Sequence, residues 1–309
     1  MSRKEFIMNE KFNLFTEQVV AGIQKMYPNA TVSTKQVTKN NDTVLIGLMI
    51  KENENICPVI YLDSFFELCD GEVTPMLLNK ISAAYEQHKV DNINLDFLKD
   101  YNSIKHHLRV RLINKDDNAL YLADAVYNTF MDLAIIAYIN VSDIINLGSG
   151  QSSIKVTGGM VVSWGVTHDQ VISDAINATF TSSEFSIEPI GKVLRDMMPE
   201  AFSSDLPFPE EEDGYNAFYV CKAGDINGSV AMLFQDKITE FARSIKSDLY
   251  ILPSSIHEVL LVPVNQVRGN YDDLRNMVCD VNSSEVMDSE ILSDHPYFFS
   301  RDNGYIHNI

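Results

Sequence analysis

The stretch Asp248–Asn265, DLYILPSSIHEVLLVPVN, decides the fold. Two short apolar runs, Leu249–Leu252 and Val259–Val262, flank a polar centre of Ser254, Ser255, His257 and Glu258. Each run is too short for a helix and rich in the branched and aromatic residues that suit a pleated surface. Pro253 punctuates the junction, so the segment reads as two core strands joined by a turn or bulge. A capped helix follows, with Asn270 as the capping residue and Leu274 and Val278 on its apolar face.

The same grammar extends outward. Strand pairs precede helices with caps expected at Thr74, Thr167, Asp236 and Asn270. The spacings between caps are unequal and the residues do not align, so this is no sequence repeat. It predicts an α+β fold of small antiparallel sheets with packed helices, in recurrent strand–strand–helix units. Runs of strands without regular βαβ alternation argue against a doubly wound sheet.

The N-terminal segment is expected to be a helix, with Met8, Phe12, Phe15, Val19, Ile23 and Met26 on one face. Strands are expected at Val32–Thr38, Thr43–Ile50, Pro58–Phe65, His106–Ile113 and Phe130–Val141. Hairpins are expected around Gly158-Gly159, around Asn227-Gly228 and around Asn303-Gly304. A further helix is expected at Pro189–Met198. Gly148–Ser153 reads as a flexible turn and Ser203–Asn216 as an exposed loop. The polar stretch 89–103 contains a linker. Two domains follow: residues 1–95, a helix with an antiparallel sheet, and residues 104–309, a larger α+β domain.

The chain carries 43 acidic against 24 basic residues, a net charge of -19. Such a surface repels phosphate backbones and anionic membranes. The densest basic stretch, Lys105–Arg111, alternates apolar and basic residues like a half-buried strand. No nucleic acid and no membrane is therefore expected as a partner, leaving an unknown protein or small molecule. The run Phe130–Val141 is too short to span a bilayer and contains Asp132. Cys57, Cys69, Cys221 and Cys279 make no paired metal-binding spacing. With no apolar secretion core in MSRKEFIMNEKF, they read as free thiols of a cytoplasmic protein.

Candidate chemistry is thin. Ser255 and His257 sit at i and i+2, on one side if the segment is a strand. Their Cβ atoms would then lie roughly 6.5–7 Å apart, a poor arrangement for a nucleophile and its base. Neither a GxSxG elbow nor an oxyanion loop accompanies them. His257-Glu258 lacks the second histidine of a zinc-protease helix. His106 and His107 would point to opposite faces of a strand. Gly148–Ser153 lacks the lysine of a phosphate loop, and Glu210–Gly214 lacks the alternating ligands of a calcium loop. Asp63 and Asp132 follow apolar strand residues; each reads first as a strand-end or capping residue, with a buried functional carboxylate as the alternative. No cofactor or metal site is legible. Ser254, Ser255, His257 and Glu258 are the weak catalytic candidates.

Several blocks carry a resemblance. They are Pro58–Leu62 with Phe65-Phe66, Phe130–Ile135, Trp164–Thr167, Asn227-Gly228 with Leu249–Val262, and Val281-Asn282 leading to Glu290–Asp294. In this order they resemble an uncharacterised family of bacterial proteins of unknown function, over nearly the whole chain. The resemblance implies no activity, substrate or cofactor. From the residues alone, a non-catalytic binding or regulatory protein is expected. The alternative is a hydrolase-type enzyme with its site at Ser255, His257 and Glu258.

Overall fold

The computed structural model describes residues 3–52, 56–89, 94–144, 152–197, 218–224, 226–253, 255–267 and 269–308. Ser254, Gly148–Gln151 and the stretches expected as an acidic loop, Ser203–Asn216 with Glu210–Gly214, lie outside them, as does the side chain of Met8. The fold is α+β with three antiparallel sheets, and the chain divides into two compact units. The first comprises residues 1–39, 43–99 and 142–152, and the second residues 40–42, 100–141 and 153–309.

In the first unit, helix α1 (Arg3–Met26) is followed by strands β1 (Thr31–Thr38), β2 (Val44–Lys51) and β3 (Val59–Tyr61). These form one sheet in the order β1-β2-β3. Two helices follow, α2 (Asp63–Cys69) and α3 (Pro75–His88). Phe15, Val19 and Ile23 bury one stripe of α1 against Leu48, Ile50, Ile60, Phe66, Ile81 and Tyr85. Met26, expected on that stripe, is exposed. Thr74 caps α3 as its sequence predicts, accepting a hydrogen bond from the Leu77 amide at 3.2 Å. The strand expected at Pro58–Phe65 is confined to Val59–Tyr61, three residues. After Tyr61 the chain turns into α2, and the Asp63 carboxylate accepts from the Ile46 amide instead of continuing a ladder.

The second unit opens with a single helical turn, α4 (Tyr101–Ile104), whose N-cap is Asp100. Its smaller sheet centres on β6 (Leu133–Asn140), with β4 (Leu108–Asn114) on one side and β5 (Tyr127–Phe130) and β7 (Ser153–Lys155) on the other. The apolar run of β6 is buried on both faces, which is why it shows no alternation. The expected strand start at His106 shifts to Leu108, because Lys105–His107 forms a 3-10 turn. The short helix α5 (Ala119–Leu122) lies between β4 and β5.

Around it, residues Asn40–Asp42 make a dense polar knot. Asn41 and Asp42 both hold left-handed backbones, at φ 56° and 46°. Fully buried Asn118 accepts from the Asn41 amide and donates to its side chain, at 2.8 and 2.9 Å. The Asp42 carboxylate accepts from the amides of Leu120 and Tyr121, satisfying two free N–H groups at the start of α5.

Two expected hairpins are helices. Thr157 caps α6 (Gly158–Trp164), and Gly165 ends it at φ 69°. The glycine pair there opens a helix rather than turning a hairpin. Asn227-Gly228 likewise starts a 3-10 helix, Gly228–Leu233. A Cβ at Gly228 would sit 2.3 Å from the His257 carbonyl oxygen, so close approach sets the residue type here.

Helix α7 (His168–Ser182) packs on β4 and β6, capped by Thr167 through the Gln170 amide at 3.1 Å. Its Thr179 hydroxyl accepts from the Val110 amide at 3.0 Å and so occupies a β4 donor. The larger sheet runs β13-β12-β10-β11-β9-β8. Its strands are β8 (Phe185–Pro189), β9 (Tyr219–Ala223), β10 (Leu249–Leu252), β11 (Val259–Pro263), β12 (Tyr297–Ser300) and β13 (Tyr305–Asn308). The Asp248–Asn265 stretch forms the antiparallel β10–β11 pair at its centre, from Leu249↔Pro263 to Leu252↔Leu260.

Helices α8 (Ile190–Met197), α9 (Gln235–Ser244) and α10 (Tyr271–Ser284) complete the unit. Asn270 caps α10 in a reciprocal box with Asp273. Asp236 does not cap α9: it lies in the first turn, Phe234 holds the cap position, and no side chain caps the end. Asn303-Gly304 closes the β12–β13 hairpin as expected, with Gly304 at φ 74°.

Candidate functional site

The polar centre of the opening stretch is held by backbone pairing. Ser255 bridges Ile291, the Ile256 amide donates to the Glu290 carbonyl at 2.9 Å, and the Ser293 amide donates to Pro253 at 3.0 Å. The buried Ser255 hydroxyl accepts from the His257 backbone amide at 3.0 Å, a turn-stabilising bond. The His257 ring instead faces Glu290, with Nε2 3.4 Å from Oε1 and both side chains about one-third exposed. Glu258 is half-buried and makes no hydrogen bond to a described residue. The structure therefore brings His257 to Glu290, a partner distant in sequence, while Ser255 serves the turn.

A second constellation joins the β5–β6 turn to the start of β12. Met131 in that turn holds φ 56°, and Asp132 follows it. The Asp132 carboxylate accepts from the Tyr297 hydroxyl at 2.9 Å and lies 3.0 Å from His295 Nε2. The other ring nitrogen, Nδ1, lies 3.2 Å from the Pro296 carbonyl. Both ring nitrogens face acceptors, which favours the doubly protonated imidazolium. The hydrogen bond to Asp132 raises the His295 pKa against the opposing effects of burial and of Arg275. Burial pushes Asp132 upward, but the bonds from His295 and Tyr297 outweigh it and hold the carboxyl below its ordinary value. Burial, reinforced by Asp132, drives the Tyr297 phenol upward. This is an ion-paired network with a satisfied carboxylate.

A third feature is concave. A groove of about 600 Å³ lies between the segment Tyr101–His106 and one face of α7. Gln170, Asp174, Asn177 and Thr181 line it at steps of four, three and four residues, so they share one face of the helix. The opposite face carries the buried Val171, Ile172, Ala175 and Thr179. On the facing segment, Tyr101 is buried and donates its hydroxyl to Asp174 Oδ2 at 2.7 Å. Burial, then the bond to Asp174, raises the Tyr101 pKa. Its ring packs 5.6 Å from that of Trp164. Lys105 and His106, with the amides of Asn102, Gln170 and Asn177, line the rest. None of these five side chains makes a hydrogen bond or ion pair with a described residue.

Among the described residues, no cluster of three or more His, Cys, Asp or Glu side chains is placed to hold a metal ion. No described helix is long and apolar enough to cross a membrane. The groove passes unnoticed in the sequence because amides and hydroxyls on a helix read as a solvated face. The available signal was their regular recurrence opposite the apolar stripe of α7. His295 gave no signal of its own, since its partner lies 163 positions away.

The chain matches the model of a family of unknown function (DUF5688) over residues 12–301, nearly its whole length, and belongs to that family. No curated protein and no solved structure matches it.

Proposed function

We propose, for this member of a family without an assigned function, that the chain is a non-catalytic binding or regulatory protein whose ligand is a small polar molecule. The observation that carries this reading is the groove on α7, where five polar side chains converge without partners among the described residues. Its volume falls within the range of small-molecule sites. The opening stretch supports the same reading from the other side. A serine nucleophile needs a base within hydrogen-bond reach of its hydroxyl. Here the Ser255 hydroxyl takes a backbone amide and His257 faces Glu290. The cytoplasm is the proposed location, supported by the acidic balance and four free cysteines. A bacterial origin rests on the resemblance alone.

A thermal-shift screen of the full chain against polar metabolites, with hits mapped by amide NMR, tests the proposal. Hits that move the signals of residues 101–106 and 170–182 are the expected result. Ester or amide turnover abolished by Ser255→Ala and by His257→Ala would replace this reading with the hydrolase.

A further inference from the structure

We propose that the α7 groove takes a zwitterion of the amino-acid type, a free amino acid or short peptide, with its carboxylate toward Lys105 and His106 and its ammonium toward Asp174. This rests on the groove being the binding site and adds the chemistry of its ligand. The groove carries both signs of charge. Asp174 uses one carboxylate oxygen for the Tyr101 hydroxyl, while the other has no hydrogen-bond partner among the described residues. Lys105 makes no ion pair with a described residue; its field reaches Asp100, at the cap of α4. The His106 side chain likewise makes no hydrogen bond to a described residue and adds a donor beside it.

A simple anion drawn to Lys105 would be opposed by Asp174, and a simple cation at Asp174 by Lys105. The overall charge of -19 further disfavours net anions. A molecule that is neutral overall but carries separated charges avoids both penalties and satisfies both ends. Gln170 and Asn177 offer donors and acceptors along the same helix face, suited to the amide groups of a peptide. The Tyr101–Asp174 bond fixes the carboxylate before any ligand arrives, which lowers the ordering cost of binding.

The test uses the full chain, with amide NMR and calorimetry. Probes are leucine, glutamine and alanyl-alanine, together with the N-acetyl and C-amide forms of each. The expected result is binding that moves the groove signals and weakens at least about tenfold when either terminus is blocked. Asp174→Asn, which keeps an acceptor for Tyr101, abolishes the preference for the free amine. Lys105→Met, at a partly exposed site, abolishes the preference for the free carboxylate. Equal binding of blocked and free forms overturns the proposal. So does the absence of binding by all free forms up to about 10 mM. If other polar molecules from the wider screen still move the groove signals, only the zwitterion falls. If none does, the groove falls as the binding site as well.

Discussion

Removing the Asp132 carboxylate is the sharpest test of how the second unit is held. Asp132 accepts from the Tyr297 hydroxyl and pairs with His295, at 2.9 and 3.0 Å. Hydrogen bonds to a charged group contribute about 1.5–3 kcal/mol each. The Asp132 and His295 side chains are 26% and 30% exposed, so solvent screens part of the ionic contribution. Asp132→Ala strips both bonds and leaves the phenol of fully buried Tyr297 without this acceptor; a loss of about 2–4 kcal/mol is expected. Asp132→Asn keeps an acceptor for Tyr297 and loses the charged acceptor facing His295, so about 1–2 kcal/mol is expected.

The loss must also depend on pH. The folded His295 pKa is raised, so its contribution is complete below its unfolded value of about 6.5 and fades as pH climbs through the higher folded value. The folded Asp132 pKa is lowered, so its contribution is complete above about 3.9 and fades as pH falls through the lower folded value. The pair therefore stabilises most between roughly pH 4 and 6.5. Urea denaturation of wild type and Asp132→Asn at pH 5.5 and at pH 9 gives the comparison, with the His295 ring titrated by NMR. The cost of the variant should be larger at pH 5.5. An equal cost at both pH values, with a His295 pKa at or below the ordinary histidine value, would refute the ion pair as the source.

Leu261→Ala should cost about 2–5 kcal/mol in chemical denaturation, because Leu261 is fully buried in β11. Its neighbour Leu260 is only partly buried, and Leu260→Ala should cost clearly less. Gly228→Ala should destabilise by more than the roughly 1–3 kcal/mol of an ordinary overpacking, since the added carbon meets the His257 backbone and not a movable side chain. His257→Ala, at a site about one-third exposed, should stay within about 1 kcal/mol of wild type. Cys221 is fully buried and burial raises its thiol pKa, so a thiol reagent should spare it in the native state, and all four cysteines should react after denaturation.

Fold class was legible because period and punctuation are local. The β10–β11 pair announces itself by composition, and Thr74, Thr167 and Asn270 cap helices as their positions predict. The errors arose where one residue pair suits two local structures. Glycines at 158–159 and 228 read as hairpin turns, yet Thr157 supplies a cap and His257 supplies a close backbone neighbour. The strand β8 ends at Pro189, a residue that in sequence suits the first turn of a helix equally well. The polar centre at Ser255 and His257 stands out in the sequence, but its partners are long-range. Glu290 for His257, His295 for Asp132 and Tyr101 for Asp174 are juxtapositions that no local pattern encodes.

The polar knot at Asn40–Asp42 makes the second unit discontinuous along the chain. Asn118 finds its side-chain partner 77 positions earlier, and α5 receives its capping carboxylate from 78 positions before Leu120. A fragment beginning at residue 100 would bury Asn118 with one amide group unanswered and leave two helix amides uncapped. Completing the knot requires closing a long loop, an entropic cost that grows with the logarithm of its length. Synthesis runs in the favourable order, since Asn40–Asp42 has left the ribosome before its receptor residues are made.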